Sequence, residues 1–225
     1  MSVRVRILSV LGIIAINIIN SIPIKAQTIT YIPPRQDKEK PQKSQSSATR
    51  GCRQDLSDVV TMIAPTDHVA HTSLAQPTLF YSVARKIENK ALLTIAKTDG
   101  RSALVDTEIS LNEPGIKTYE FPSNINLEKT EYYIWTITIV CNSQRPSDNI
   151  EVQTILKRVP QKEELSNQLL QQKTALEKSQ YSASIGLWYD ALYYLYPFDS
   201  KKAEPYVQKL LEQINLNNMV LETKN

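Results

Sequence analysis

The chain has two histidines, and they stand three residues apart in the segment Asp67-His68-Val69-Ala70-His71. A His-x-x-His spacing can place two imidazoles near one metal ion. A zinc site needs a third protein ligand, and a metallohydrolase also needs a general base. No further histidine exists to complete such a set. His68 and His71 are therefore weak candidates for metal ligands, and the sequence favours a solvated loop with no metal and no cofactor.

Carboxylates that could form an acid and base pair are numerous and scattered. The candidates beside predicted strands and helix starts are Asp55, Asp58, Asp106, Glu108, Glu163 and Glu164. A glycosidase needs two carboxyl groups facing each other at about 5 to 10 Å across a cleft, and a sequence does not give that distance. Solvated faces and helix-start charges explain these residues more simply. A hydrolase with an unrecognised carboxylate pair is kept as an alternative to a non-catalytic protein.

The stretch 181–198, YSASIGLWYDALYYLYPF, holds seven aromatic residues. Helical spacing predicts a buried stripe of Ile185, Trp188, Leu192 and Leu195, with Tyr189, Tyr193 and Tyr196 covering the seam between helices and sheet. Buried aromatics of this size contribute roughly 150 to 250 Å² each, enough to dock one layer on another. The alternative is an exposed platform that stacks on sugars or grips a partner chain, formed by Trp188, Tyr189, Tyr193 and Tyr194.

Several classes of function are excluded by composition. The chain after residue 26 has four glycines, at 51, 100, 115 and 186, and no two of them are close together. Because a phosphate-binding loop and a dinucleotide fingerprint both need closely spaced glycines, neither can be built. The first 26 residues carry Arg4, Arg6 and Lys25 and no carboxylate, so the 26 basic residues of the chain fall to 23, against 23 acidic ones. A nucleic-acid binder would carry a basic excess. We therefore predict no nucleotide and no nucleic acid as partner.

The first 26 residues have the order of a secretory signal. Two arginines precede an apolar run from about Ile7 to Ile19, and Ile24-Lys25-Ala26 offers a cleavage site. The run is shorter than the roughly 20 apolar residues that span a bilayer. Export to the periplasm or the exterior is predicted, with an uncleaved membrane anchor as the alternative. The two cysteines, Cys52 and Cys141, are then predicted to form a structural disulfide.

Residues 27–50, rich in Pro, Lys, Ser and Gln, predict a disordered linker. Beyond it, residues 51–159 alternate apolar and polar positions in seven short runs, most clearly in EYYIWTITIVC and NIEVQTILK. The other runs are Leu56 to Ala64, Thr78 to Ala84, Ala91 to Lys97, Leu104 to Ser110 and Ile116 to Phe121. Such spacing predicts an antiparallel, Ig-like β-sandwich, with a closed barrel left open.

After Pro160 the apolar period becomes helical. QKEELSNQLLQQKTALEKSQYSAS predicts one long helix, and DSKKAEPYVQKLLEQINL contains another. Between them, Gly186-x-Trp188-x-Asp190-Ala191-Leu192 resembles the turn and second helix of a tetratricopeptide (TPR) unit, in which glycine closes the first helix and alanine permits close approach. One copy is visible, and such repeats need about three to stand alone. The hairpin is therefore expected to dock on the sandwich.

Five segments taken together resemble a cyanobacterial family, the domain-of-unknown-function family number 928. These are Thr49-Arg50-Gly51-Cys52, Pro77-Thr78-Leu79-Phe80-Tyr81, Tyr133-x-Trp135 running into Val140-Cys141, Leu156-Lys157-Arg158-Val159, and Gly186 to Leu192. The resemblance covers roughly residues 49–216. It implies a shared fold and an extracytoplasmic location, and it brings no catalytic residues.

The sequence thus predicts an α+β protein: a signal peptide at 1–26, a linker at 27–50, a sandwich at 51–159, a docked helical subdomain at 160–216 (a TPR-like hairpin plus one helix) and a frayed tail at 217–225. The predicted function is a non-catalytic, exported interaction or scaffold module. Its expected partner is another extracytoplasmic protein. A glycan is the alternative ligand, and membrane contact is expected only if the signal is uncleaved.

Overall fold

The computed structural model describes residues 28–35, 52, 56, 58–99, 103–161, 163–198 and 202–216. The predicted signal peptide, most of the predicted linker and the predicted tail lie outside these residues. The described part is a mixed α+β structure with two sheets and four helices, which confirms the α+β class.

Eight strands form the two sheets. In chain order they are β1 (Val60–Met62), β2 (Ala70–Thr72), β3 (Leu79–Val83), β4 (Ala91–Lys97), β5 (Ala103–Ile109), β6 (Gly115–Tyr119), β7 (Tyr132–Ile139) and β8 (Ile150–Arg158). One sheet has the order β1-β3-β6, and the other has the order β2-β8-β7-β4-β5. The seven alternating runs of the sequence correspond to seven of these strands.

Strand β7 shows why the alternation specifies this sheet. Tyr133, Trp135, Ile137 and Ile139 point to one face and are fully buried. Strand β8 pairs with β7 antiparallel and presents Ile150, Val152, Thr154 and Leu156 to the interior. Successive side chains of a strand point to opposite faces, so each apolar set shares one face of the sheet.

The prediction of a wholly antiparallel sheet needs one correction. Strand β2 pairs with β8 in parallel, with Ala70 opposite Leu156 and Thr72 opposite Arg158. A parallel pair needs a long crossover, and here the whole of β3 to β7 lies between the two strands. The segment Asp67 to His71 was predicted as a solvated loop, and this is wrong: His68 and His71 are both buried. The sequence did not predict strand β2, because three residues are too few to show an alternation of apolar and polar positions.

The four helices are α1 (Glu163–Gln171), α2 (Ala175–Ser184), α3 (Trp188–Leu195) and α4 (Glu204–Gln213). The predicted long helix is therefore two helices. Thr174 accepts a hydrogen bond from the Glu177 amide, and the Glu177 side chain accepts one from the Thr174 amide. This capping box starts a new helix within an unbroken apolar pattern.

The helices contact both sheets: α3 lies against β2, at the edge of the five-stranded sheet, and the chain after α3 reaches the three-stranded sheet. Phe80, in the central strand of that sheet, stacks on Phe198 with ring centroids 5.1 Å apart. Trp188 donates its indole Nε1–H to the carbonyl of Ile63, at 2.9 Å. Strand β3 is thus buried on both faces, because one side meets the common core and the other meets the end of α3.

The predicted disordered linker also needs correction over residues 28–35, which we name the strap. Ile29 and Tyr31 are buried against the helices. The Ile32 amide donates to the carbonyl of Ala183, at 3.0 Å. A few apolar residues in a polar, proline-rich stretch were enough to dock it, and composition averaged over the whole stretch hides them.

Candidate functional site

The start of α3 joins the helices to both sheets. Trp188 and Tyr189 are fully buried, and the Tyr189 hydroxyl accepts a hydrogen bond from the indole of Trp135 in β7, at 3.1 Å. Burial raises the pKa of the Tyr189 hydroxyl, so it remains a neutral phenol. Neither ring therefore belongs to an exposed platform. Ile185, predicted to be buried, is exposed at the end of α2.

Asp190 is a buried carboxylate that ties α3 to strand β2. Its Oδ1 accepts from the Thr72 hydroxyl at 2.6 Å, and its Oδ2 accepts from the Ser73 hydroxyl at 2.5 Å. The Ser73 amide lies 3.1 Å from both oxygens. Burial raises the pKa of Asp190, and the hydrogen bonds from Ser73 and Thr72 oppose that shift. This network is enclosed and holds the helix in place.

His68 is part of a hydrogen-bonded chain with the strap. The Asp67 carboxylate lies 2.6 Å from Nδ1 of His68, and the Tyr31 hydroxyl lies 2.7 Å from Nε2. In the neutral imidazole, Nδ1 donates to Asp67 and Nε2 accepts from Tyr31. Both ring nitrogens are engaged. Among the residues that the structure describes, no three His, Cys, Asp or Glu side chains are grouped so as to hold a metal ion.

A groove opens where the start of α2, the end of α3 and the start of α4 meet. It has a volume of about 850 Å³. Its aromatic and proline walls are formed by Tyr194, Tyr196, Tyr206, Pro197 and Pro205. Lys202 and Glu177 also line it. We name it the tyrosine groove; of the four aromatic residues proposed from the sequence, Tyr194 is the one that lines it.

The rings at this end of the hairpin are steeply inclined to one another. Tyr193 and Tyr194 have an interplanar angle of 67°, and Tyr196 and Phe198 have one of 88°. Partial burial raises the pKa of Tyr194, with Asp190 and Tyr193 adding to the shift. Lys178 lies 5.7 Å from the centroid of the Tyr194 ring, within the range of a cation–π contact. The rings form walls and not a flat platform.

Two of the groove residues had no clear signal in the sequence. Tyr206 lies beside Pro205, off the buried stripe of Val207, Leu210 and Leu211. Tyr196 contacts Phe80 of β3, with ring centroids 5.9 Å apart, as its predicted place at the seam requires, but it is also 42% exposed. Tyr193, also assigned there, is 44% exposed and stands outside the groove lining. An aromatic residue off the apolar stripe of its helix is the sequence feature that marks such positions.

The scattered carboxylates do not gather at the tyrosine groove. Asp55 lies outside the described residues, and Asp58, Asp106, Glu163 and Glu164 are exposed. Glu108 lines a second, more polar depression of about 600 Å³ together with Glu88. Glu108 is paired with Lys90 at 3.0 Å, and Glu88 with Lys86 at 3.2 Å. Both are exposed ion pairs of the ordinary surface kind.

Cys52 and Cys141 lie within disulfide distance, with their Cα atoms 4.9 Å apart, which confirms the predicted pairing. The bridge fastens the chain before β1 to the end of β7. Disulfides persist in oxidising compartments, so the pair is consistent with an extracytoplasmic location. Within the described part of the chain, no helix has the length and apolar character that a membrane crossing requires.

The fold and the groove together define a disulfide-linked α+β protein with a ligand-sized groove in its helical layer. The chain belongs to the family described as Domain of Unknown Function (DUF928), whose model matches residues 45–223. This confirms the family resemblance inferred from the sequence motifs. Comparison with the curated proteins and with the solved structures gives no match.

Proposed function

We propose that the chain is a non-catalytic interaction module of an extracytoplasmic compartment. In this proposal the tyrosine groove receives an extended, proline-containing segment of a partner protein. The observation that carries the proposal is the groove itself, an open depression walled by tyrosine rings and prolines at the junction of three helix ends. Tyrosine is enriched at protein interfaces, and aromatic-lined grooves dock proline-rich segments in a polyproline II conformation.

The polar groups of the groove favour a peptide over a sugar. Glu177 and Thr174 already use their side chains in the capping box, and the hydrogen bonds from Thr174 lower the pKa of Glu177. The ring hydroxyls and Lys202 are what remains to orient a ligand. A sugar site needs several convergent polar groups. A polyproline II segment presents apolar rings and a preformed backbone of low conformational entropy, so its binding needs fewer polar groups in the site.

The groove stands on a rigid support. Asp190 binds strand β2 one turn before Tyr194, and Trp188 is held by the carbonyl of Ile63. Ser179 in α2 donates to the carbonyl of Ala191 in α3 at 2.7 Å, which fixes the two helices side by side. Preformed walls reduce the ordering cost of binding.

We propose two finer features of the fold on the same grounds. The two sheets form an Ig-like sandwich, supported by the core that their facing side chains share. The α2–α3 pair is a TPR-like hairpin, supported by Gly186 at its turn and by the close approach at Ala191. Export rests on the predicted signal in residues 1–26 and on the disulfide.

Carbohydrate binding is the second candidate, because Tyr193 and Tyr196 are both about two-fifths exposed. Chains of a flat polysaccharide stack best on coplanar rings, and Tyr193 and Tyr196 are inclined by 62° or more to the aromatic rings that they contact. A single oligosaccharide in the groove is the form of this candidate that the geometry permits. The hydrolase alternative is not proposed, because Glu88 and Glu108 are exposed and paired with lysines.

The test compares two kinds of probe on matched variants. A fluorescein-labelled decaproline peptide and soluble cello- and chito-oligosaccharides are titrated against the full chain. Tyr196→Ser and Tyr206→Ser remove groove walls, and Tyr193→Ser removes an equally exposed ring outside the groove. We expect decaproline to bind and each groove variant to weaken it roughly tenfold, as for an interface tyrosine worth about 1.4 kcal/mol.

Tyr193→Ser should leave decaproline binding unchanged, because its ring does not line the groove. Sugar binding with the same variant pattern would replace the peptide with the glycan candidate. If decaproline does not bind, or if both groove variants bind it like the wild type, the proposed function is wrong.

A further inference from the structure

The strap occupies a cleft at the other end of the α2–α3 hairpin from the tyrosine groove. The cleft is formed by Ala183 and Gly186 at the end of α2, Trp188 of α3, Gln213 of α4 and His68 before β2. We name it the strap cleft. The strap enters as an extended chain with no strand partner, and its contacts are those of a bound peptide.

Backbone and side chains of the strap are both recognised. The Tyr31 amide donates to Oε1 of Gln213 at 2.9 Å, and the Gln213 amide group donates back to the carbonyl of Ile29 at 3.3 Å. The Ile32 amide caps the carbonyl of Ala183 at 3.0 Å. The Tyr31 ring packs edge-on against Trp188, with centroids 5.0 Å apart, and stacks on His68 at 5.5 Å.

The shape of the cleft depends on residues held from outside the strap. Asp67 orients His68, and the carbonyl of Ile63 fixes Trp188. Gly186 has a φ of +83°, and a Cβ built there would lie 3.0 Å from the carbonyl oxygen of Ile32 and 3.2 Å from Pro34. The strap therefore occupies the space that a side chain at position 186 would fill. An empty cleft would expose the edge of the Trp188 ring to water and leave Nε2 of His68 without the Tyr31 hydroxyl. Both changes cost free energy, so the filled cleft is the more stable state.

Sixteen residues, 36–51, connect the strap to Cys52, which the disulfide fixes to the sandwich. At about 3.3 Å per residue, a chain of that length reaches up to about 50 Å. The covalent connection therefore does not decide which copy of the cleft the strap fills. Docking within one chain competes with docking between chains, and only the second depends on protein concentration, so exchange between chains grows as the protein is concentrated.

We propose that the strap cleft is an interaction site for the strap of a second copy of this chain, so that residues 28–35 dock in trans and join two molecules. The ligand class is an extended segment with a buried isoleucine and tyrosine two residues apart, followed by Ile-Pro-Pro. Each copy supplies Tyr31 to the cleft of the other. This surface is separate from the tyrosine groove and does not depend on the function proposed for it.

The experiment uses two complementary full-length variants. The first is Tyr31→Ala, with a defective strap and an intact cleft. The second is Gly186→Ala with Gln213→Ala, with an intact strap and a blocked cleft. Each alone is expected to be monomeric by size-exclusion chromatography with light scattering. Mixed, they should form a 1:1 complex, because the intact strap of the second fills the intact cleft of the first.

The control mixes Tyr31→Ala with a chain that carries all three substitutions, and it should give monomers. A complex in that control would place the contact elsewhere and overturn the proposal. Circular dichroism first verifies that each variant is folded; if Tyr31→Ala is not, Tyr31→Phe removes only the hydroxyl bonded to His68.

Wild-type protein provides a measurement that needs no defective strap. Its dimer fraction should rise with concentration, and the fraction should fall at least severalfold in Gly186→Ala. If neither the mixed variants nor the concentrated wild type forms a dimer, the strap docks only within its own chain and the proposal is wrong.

Discussion

At the scale of single residues, Asp190 shows how one buried carboxylate can position a helix. It stands in the first turn of α3, where a negative charge is favoured by the helix dipole, and it accepts hydrogen bonds from both hydroxyls of the pair Thr72 and Ser73. The sequence placed Asp190 in a TPR-like motif and offered no hint of these partners. They lie 117 and 118 residues away along the chain.

Replacement of Asp190 by alanine should destabilise the protein by about 3 kcal/mol. The substitution leaves two hydroxyls and one backbone amide buried without their acceptor, and each unsatisfied group costs about 1 to 3 kcal/mol less any relaxation. An asparagine side chain at this position retains one acceptor oxygen, so Asp190→Asn should cost about a third as much. Urea unfolding of the three proteins measures the difference. Equal stability of wild type and Asp190→Ala would show that the network contributes nothing.

The pH dependence of wild type and Asp190→Asn gives a second, independent prediction. Burial raises the pKa of Asp190 above its ordinary value of about 3.9. Below that value the carboxyl is protonated in both states, and its contribution to stability is fully present. As pH rises from there to the folded-state pKa, the unfolded chain ionises while the buried carboxyl stays protonated, so this proton-linked part of its contribution is lost. The stability of wild type relative to Asp190→Asn should therefore fall as pH rises from about 4 toward neutrality. A constant difference would contradict the raised pKa.

At the scale of elements, the end of α2 sets the path of the chain. The Gly186 amide donates to the carbonyl of Ala183, and the Leu187 amide donates to that of Ser182. This is a Schellman motif with glycine in the left-handed region, which the sequence predicted from Gly186. What the sequence did not show is that the bare glycine surface is also where the strap crosses the helix end.

Gly186→Ala should therefore do more than strain the turn. A left-handed non-glycine residue costs about 1 to 2 kcal/mol, and the new Cβ also presses on the carbonyl of Ile32. We expect the Tyr31 and Ile32 amides to exchange their hydrogens at least tenfold faster, because both depend on strap contacts. Gly115→Ala is the matched control: Gly115 also has a positive φ, but it lies in β6. Equal strap protection in both variants would contradict the assigned contact.

The elements themselves were predictable to different degrees. Strands β4 and β7 repeat an apolar residue at every second position over seven or eight residues, and the sequence placed them almost to the residue. Strand β2 has only three residues, and the strap does not pair with a strand. Neither segment therefore shows a periodic pattern of apolar residues in the sequence. The break before α2 was readable in Thr174-x-x-Glu177, but a continuous apolar stripe on both sides concealed it.

At the scale of the whole molecule, the layers are joined by contacts that no local pattern encodes. The indole of Trp135 in β7 meets the hydroxyl of Tyr189 in α3, and the indole of Trp188 meets the backbone of Ile63. The sequence predicted that aromatic residues pack between the helices and the sheets, and Trp188 and Tyr189 do so. It could not separate them from Tyr193 and Tyr194, because the direction of a ring depends on which face of the helix the sheet covers.

The disulfide is the remaining long-range link, and its removal is the prediction that belongs to this scale. Cys52 and Cys141 are separated by 89 residues, so the bridge closes a loop that contains β1 to β7. On the chain-entropy model, such a loop stabilises the fold by about 4 to 5 kcal/mol. The double variant Cys52→Ser and Cys141→Ser should lose about that much in urea unfolding. Thiol reductant should lower the unfolding midpoint of the wild type and leave the double variant unaffected. Since the bridge is distant in sequence from the helices, the reduced protein should retain decaproline binding wherever it is still folded. If the midpoint of the wild type does not move with reductant, the bridge contributes no stability and the core alone holds the two sheets together.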